Sequence, residues 1–202
     1  MIITFNAVPR SLTVFLLLFV AAIGLASEKK EWVKLTDCAY VAADYNDGDS
    51  FRVKAGTNEF VVRLYFVDAP ETNLRYPERT REQSEYFGVT LDEAMKAGAE
   101  ARETARELLR GPFVVWTRWS SASGRGRETR FYGIVEINGK DLAEMLVSKG
   151  LARTKGVAVN GPSGEKSKTR LEKLRQLEDE AKARRVGVWA HSVQSEGDKP
   201  AK

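Results

Sequence analysis

The clearest alternation of side chains in this chain lies between Glu59 and Val67. One face of that segment carries Phe60, Val62, Leu64 and Phe66, and the other carries Val61, Arg63, Tyr65 and Val67. Alternation with a period of two predicts a β-strand. The turn signal Gly56-Thr57-Asn58 precedes it, and Asp47-Gly48-Asp49 opens a shorter apolar segment, Phe51-Arg52-Val53. The pattern therefore predicts a β-hairpin, which ends at Asp68-Ala69 because Pro70 cannot donate to a ladder.

Similar patterns predict three more strands and three helices. The strands are Trp32–Ala43, Phe113–Trp119 and Thr129–Ile137, and the helices are Leu91–Leu109, Asp141–Lys149 and Lys166–Arg185. Thr90 and Glu93 have the spacing of a capping box at the start of the first helix. The polar connection 72–90 predicts a long loop with one helical turn near Glu82–Phe87. This order favours an α+β fold, mainly β with helices: a five-stranded Greek-key barrel of the OB type with three attached α-helices.

Both ends of the chain differ in composition from this domain. Leu12–Ala26 is an apolar run of fifteen residues, with small residues at Gly24 and Ala26 before a polar stretch. A membrane span needs about 18 or more apolar residues, so residues 1–26 are expected to be a cleaved signal peptide, with a retained membrane anchor as the alternative. We therefore expect a secreted or periplasmic protein, a domain over residues 32–190 and a disordered tail over residues 191–202.

The composition restricts the chemistry that the chain can perform. There is one cysteine, Cys38, and one histidine, His191, which excludes an intramolecular disulfide and zinc sites built from Cys and His. Cys38 lies in an apolar strand and is expected to be buried, and His191 lies in the polar C-terminal tail. Any catalysis must therefore use carboxylates, arginines, lysines or a metal ion. The net charge of +4 is compatible with a polyanionic partner without requiring one.

The hairpin is where such groups should meet. Its strands would bring Asp49, Arg63, Asp68 and Glu71 to one end of the sheet. Carboxylate oxygens suit a divalent cation, and a guanidinium suits a phosphate. Two aspartates at strand ends alone would be ordinary turn residues, but the added arginine and glutamate favour a phosphate-processing site.

Four segments of the chain resemble the staphylococcal nuclease (thermonuclease) family in order and spacing. They are D-G-D-S-F-R-V, V-R-L-Y-F-V-D-A-P-E, R-F-Y-G-I-V-E-I-N-G-K-D-L-A-E-M-L-V-S-K-G-L-A and V-G-V-W, within residues 33–189. The resemblance implies an OB-fold nuclease domain that hydrolyses DNA and RNA in a calcium-dependent reaction and leaves 3′-phosphates. Two basic stretches, 118–130 and 153–170, follow the proposed site in the sequence and are interpreted as phosphate-binding surfaces. Contacts to backbone phosphates would make substrate binding weakly sequence-specific, and we expect a monomer.

The resemblance also assigns roles to residues of this chain. It implies that Asp49, Asp68 and the backbone carbonyl of Ala69 bind Ca²⁺, and that Glu71 is the general base. Arg63 and Arg130 correspond to the two catalytic arginines.

The chain departs from the family pattern in three places. Gly126-Arg127-Glu128-Thr129 replaces the usual residues before Arg130, which leaves Arg127 as an alternative second arginine. Gly156 and Ala158 stand where the staphylococcal enzyme has tyrosines that stack on the nucleotide, and the 72–90 connection is longer. A metal other than calcium, or a non-catalytic OB-fold module that binds nucleic acid or protein, remains the alternative.

Overall fold

The computed structural model describes residues 30–122 and 128–193. The predicted signal peptide, Arg127 and residues 194–202 of the predicted tail lie outside these ranges. Within the described ranges, no helix is both long and apolar enough to cross a membrane.

Five strands close into a barrel. They are β1 (Val33–Val41), β2 (Ser50–Ala55), β3 (Asn58–Leu64), β5 (Phe113–Ala122) and β6 (Arg130–Ile137). The ring runs β1-β2-β3-β6-β5 and back to β1, with every pairing antiparallel except β3 with β6. A short strand β7 (Lys140–Asp141) adds to β6 after the Asn138-Gly139 turn. The predicted five-stranded α+β barrel is confirmed.

The helices pack on this barrel. They are α1 (Pro77–Phe87), α2 (Leu91–Leu108), α3 (Leu142–Ser148) and α4 (Ser167–Ala183), followed by a 3₁₀ helix, Gly187–His191. The main core lies between the barrel, α3 and α4, and includes Cys38, which is fully buried as expected. A second apolar cluster joins Phe87, Ala97, Ala181, Val188 and Trp189. Val193, assigned by sequence to the tail, donates its N–H to the carbonyl of Gly88.

Helix α1 corrects the prediction of a loop with one helical turn. Its sequence P-E-R-T-R-E-Q-S-E-Y-F has no apolar stripe, so hydrophobic periodicity could not detect it. It buries Thr80, Gln83, Ser84 and Phe87 instead. The usable sequence signal was Pro77, since proline is favoured in the first turn of a helix.

The second correction concerns the strand predicted from Glu59 to Val67. The strand stops at Leu64 because Phe66 adopts a left-handed conformation with φ of 70°. The chain then leaves the barrel and forms β4 (Val67–Asp68), which pairs with β8 (Arg153–Thr154). The pairing places Asp68 opposite Arg153. This turn moves Asp68 away from the barrel wall and toward α1.

The capping box at Thr90 is present, and it gives a direct test of the fold. The Thr90 hydroxyl accepts from the N–H of Glu93 at 3.2 Å, and the Glu93 carboxylate accepts from the N–H of Thr90 at 2.9 Å. We expect Thr90→Ala to lower the free energy of unfolding by about 1 kcal/mol, because the cap is lost. Urea unfolding measures this, with Thr57→Ala in the exposed β2–β3 turn as control. An equal decrease in the free energy of unfolding in both variants would contradict the role of the cap.

Candidate active site

The acidic turn between β1 and β2 is joined directly to the loop after β4. Asp47 accepts from the N–H groups of Asp49 and Ser50, which closes the turn. Asp49 in turn accepts from the N–H of Ala69 at 2.7 Å through Oδ2. Burial raises the pKa of Asp49 well above its ordinary value, and the charge of Arg63 offsets part of this effect. One carboxylate thus fixes the distance between the two acidic segments.

Arg63 lies between the two aspartates. Its Nη1 is 2.8 Å from Asp49 Oδ1, and its Nη2 is 2.9 Å from Asp68 Oδ1. The side chain is 12 % exposed, so the guanidinium is largely removed from water. Strand β3 supports this position by pairing Arg63 with Ser50 on one side and Tyr132 on the other. The arginine predicted to bind phosphate is therefore already in contact with two carboxylates.

Asp68 accepts more contacts than any other residue described in the site. Its two oxygens accept five donor contacts: from Arg63, from Arg79, from Gln83 and twice from Arg153. Burial raises the pKa of Asp68, but Arg79, Arg63, the Gln83 amide and Arg153 outweigh it and hold the pKa below its ordinary value. Asp68 is therefore an ionised carboxylate that is surrounded by donors on both oxygens.

Glu71 reaches the same network from the loop. Its Oε1 is 2.6 Å from Nε of Arg79, an ion pair without hydrogen-bond geometry at that N–H. Burial raises the pKa of Glu71 above its ordinary value, and Arg79 offsets part of that rise. The side chain is 17 % exposed, so solvent still reaches the carboxylate. A carboxylate that is partly buried and has a raised pKa is suited to accept a proton.

Arg130 stands on the neighbouring strand. It begins β6 opposite Val61, two residues before Arg63 in the register of β3. Alternate residues of a strand share a face, so Arg130 and Arg63 lie on the same face, about 7 Å apart along the strand. The structure thus joins Asp49, Arg63 and Asp68 through direct ion pairs, links Glu71 to Asp68 through Arg79, and places Arg130 on the adjacent strand.

Three residues that the sequence interpretation did not assign to the site help to build it. Arg79 and Gln83 lie one turn apart on α1, and Arg153 comes from β8. Gln83 is fully buried; its amide donates to Asp68 and to the carbonyl of Ala69, and its oxygen accepts from the N–H of Glu71. The i, i+4 spacing of Arg79 and Gln83 would have placed them on one face, had the helix been recognised.

The basic stretch 153–170 also needs a correction. Its five basic residues were interpreted as a phosphate-binding surface, but two of them are buried in ion pairs. Arg153 pairs with Asp68 and Glu82, and Arg170 pairs with Asp141. Lys155, Lys166 and Lys168 remain as the exposed or partly exposed cations of this stretch.

The predicted calcium ligands do not fit a calcium ion in this arrangement. Calcium takes about 6–8 oxygens. A carboxylate offers about four lone-pair positions, and Asp68 already accepts five donor contacts. The carbonyl of Ala69 accepts from Gln83 at 2.9 Å. Over residues 30–122 and 128–193, no group of three or more acidic, His or Cys side chains is arranged to hold a metal ion.

Helix α2 approaches the loop closely at a glycine. A Cβ on Gly98 would lie 2.5 Å from the carbonyl oxygens of both Pro70 and Glu71. Likewise, a Cβ on Gly48 would lie 2.7 Å from the Cβ of Ala101. The small residues of α2 therefore allow both acidic segments to sit directly on the helix.

We expect Gly98→Ala to destabilise the protein by about 1–3 kcal/mol, because its methyl group would overlap two backbone oxygens. In an unconstrained helix the same change would stabilise by about 1 kcal/mol. Urea unfolding shows directly whether Gly98→Ala lowers or raises the free energy of unfolding. Gly111→Ala is the control, since no atom lies within 4 Å of a Cβ there. A stabilising effect at Gly98 would show that the loop is not held by this contact.

A second test uses pH at the edge of the site. Hydrogen bonds from Arg153 lower the pKa of Glu82 from 4.5 to about 2. A carboxyl with a lowered pKa stabilises the folded state above pH 4.5, and this contribution declines as the pH falls toward 2. The Glu82 side chain is 47 % exposed, so solvent weakens the ion pair. We expect Glu82→Gln to lower the free energy of unfolding by about 1 kcal/mol at pH 7. Urea unfolding should show this deficit narrowing between pH 4.5 and 3, whereas Glu78→Gln should show little deficit at any pH. A constant deficit for Glu82→Gln would contradict the ion pair.

Comparison with known protein families agrees with the fold. A family model described as "Staphylococcal nuclease homologue" matches residues 61–191, which include Arg63, Asp68, Glu71 and Arg130, whereas Asp49 precedes the match. Proteins of this family are typically nucleases and are generally metal-dependent. Because the match covers more than half of the chain, this protein belongs to the staphylococcal nuclease homologue family.

Proposed function

We propose that this protein is a nuclease that hydrolyses phosphodiester bonds of DNA and RNA. One observation carries the proposal: Asp49, Arg63, Asp68 and Glu71 form a single contact network at one end of the barrel. Carboxylates and guanidinium groups on rigid elements are the groups that phosphodiester hydrolysis needs when histidine and cysteine are absent from the site.

In this proposal, Glu71 is the general base. It takes a proton from water, whose oxygen attacks phosphorus, and the bond from phosphorus to the 5′ oxygen breaks. The phosphate then stays on the 3′ side, and the leaving oxygen takes up a proton. The partial exposure of Glu71 and its raised pKa support this role. General-base catalysis contributes about 10²–10⁴ in rate.

Arg63 and Arg130 stabilise the charge that develops on the phosphoryl oxygens. Arginine presents a planar set of donors that matches phosphate and stays charged. The common face of Arg63 and Arg130 supports a pair that acts on one phosphate. Calcium dependence is implied by the family resemblance alone, since the oxygens that would bind the ion already accept other donors. The cleavage assay for this function therefore compares different metal ions with EDTA.

The substrate would be held through its backbone. The exposed residues Lys155, Lys166 and Lys168 supply positive charge after β8 and at the start of α4, and Arg118 and Arg130 supply it on β5 and β6. Contacts to phosphates carry little sequence information and weaken with salt. We propose weak sequence specificity and a monomeric protein. The apolar run Leu12–Ala26 supports export to the periplasm or the medium.

A binding module without catalysis is the second candidate. Arg79 pairs with the proposed base and with Asp68, an arrangement that leaves both carboxylates occupied. Cleavage of plasmid DNA and RNA by the full chain, in Ca²⁺, Mg²⁺, Mn²⁺ or EDTA, separates the two candidates. Salt-sensitive binding without cleavage in any of these conditions would favour the module.

We expect Glu71→Gln to lower turnover by about 10²–10⁴ while leaving the fold intact, because the change removes the base without changing the side-chain volume. Initial rates on single-stranded DNA measure this. Glu85→Gln, an exposed carboxylate on α1, is the matched control. Turnover within threefold of wild type would remove Glu71 from the base role.

For Arg63 we choose lysine rather than alanine. Alanine would leave the buried Asp49 without its ion-pair partner, a change that typically costs about 3–5 kcal/mol. Lysine keeps the charge but loses the planar fork. We expect Arg63→Lys to lower turnover by about 10²–10³ at a melting temperature close to wild type.

A further inference from the structure

Basic side chains of the protein surround Asp68. Three guanidinium groups, from Arg63, Arg79 and Arg153, contact it. The acids in contact with the same three arginines are Asp49, Asp68, Glu71 and Glu82. Lys155 also pairs with Glu82. These ion pairs join four acidic and four basic side chains, and Asp47 is a fifth acid in the adjacent turn. The protein itself thus supplies most of the positive charge that a buried acidic site requires.

Arg79 differs from the other two arginines in its position. It comes from the first turn of α1 and links Asp68 to Glu71, whereas Arg63 links Asp68 to Asp49. Its side chain is 37 % exposed, against 12 % for Arg63 and 1 % for Arg153. Arg79 is therefore the guanidinium of the three that can leave most easily toward solvent.

Gln83 acts on the same loop from the next turn of α1. Its Nε2 is 2.9 Å from the carbonyl oxygen of Ala69 and 3.0 Å from Asp68 Oδ2. Both are oxygens that a hard cation would use. Helix α1 thus places a charged group on one oxygen of Asp68 and an amide on the other.

We propose that α1 takes the place of a divalent cation in this site: Arg79 neutralises Asp68 and Glu71, and a cation can bind there only when Arg79 has moved away. Removal of Arg79 therefore creates or strengthens a divalent cation site that is formed by Asp49, Asp68 and Glu71. The proposal concerns cation binding, so it holds or fails whether or not the protein cleaves nucleic acid.

Isothermal titration calorimetry measures the binding of Ca²⁺ to the full chain. The difference between the melting temperatures in Ca²⁺ and in EDTA gives a second measure. We expect Arg79→Ala to bind Ca²⁺ about tenfold or more tightly than wild type, because one positive charge leaves the two carboxylates. A ligand that binds only the folded state raises its melting temperature, so Ca²⁺ should stabilise this variant more than wild type. Arg79→Gln keeps hydrogen-bond donors but removes the charge, and it should also bind Ca²⁺ more tightly than wild type. This second variant keeps the test valid if the alanine variant fails to fold.

Two controls give the test its specificity. Arg75→Ala removes the same charge from the same connection, at an exposed residue beside Tyr76, and should leave Ca²⁺ affinity at the wild-type value. Adding Asp49→Asn to Arg79→Ala should abolish the gain. The proposal is overturned by equal Ca²⁺ affinity in wild type and both Arg79 variants, by binding in none of them, or by a gain that persists in the double variant.

Discussion

A buried carboxylate, Asp68, is the group on which the rest of this site depends. Burying an ionised carboxylate is costly unless charges and hydrogen bonds surround it, and removing one partner of such a pair leaves an uncompensated charge. Here the compensation comes from three separate elements of the fold. Strand β3 supplies Arg63, α1 supplies Arg79 and Gln83, and β8 supplies Arg153. The left-handed turn at Phe66 is what allows Asp68 to reach all of them, because it ends the barrel strand two residues earlier.

Position and charge are controlled by different residues in this site. Gly98 and Gln83 hold the backbone of the Asp68–Glu71 loop through close packing and neutral hydrogen bonds. The arginines set the electrostatic potential around the carboxylates without fixing that backbone. A change in the charge of one arginine can therefore alter what the site binds while the loop stays in place. This separation is what makes a comparison of charge variants interpretable.

The parts of the structure that could be predicted from sequence are those with a local signal. Alternation revealed β3, and the Thr90–Glu93 spacing revealed the start of α2. Helix α1 had no apolar stripe, and the turn at Phe66 lay inside a continuous apolar run, so neither could be detected by periodicity. The hairpin residues Asp49, Arg63, Asp68 and Glu71 were found because they are close in sequence. Arg153 was not, since its pairing with Asp68 spans 85 residues and depends on the tertiary fold.

The difference between a nuclease and a binding module in this fold thus rests on the occupancy of a few oxygen atoms. The acids alone do not decide it, because the same carboxylates can be satisfied by water and a cation or by protein donors. In this chain the donors come from β3, α1 and β8, and those on α1 contact both Asp68 and Glu71. A substrate phosphate would carry negative charge toward Arg63 and Arg79, and would weaken their hold on Asp68 and Glu71 by competing for the same N–H groups. Under the proposed function, an incoming phosphate would compete with Glu71 for Arg79, because Arg79 is the most exposed of the three arginines that contact Asp68.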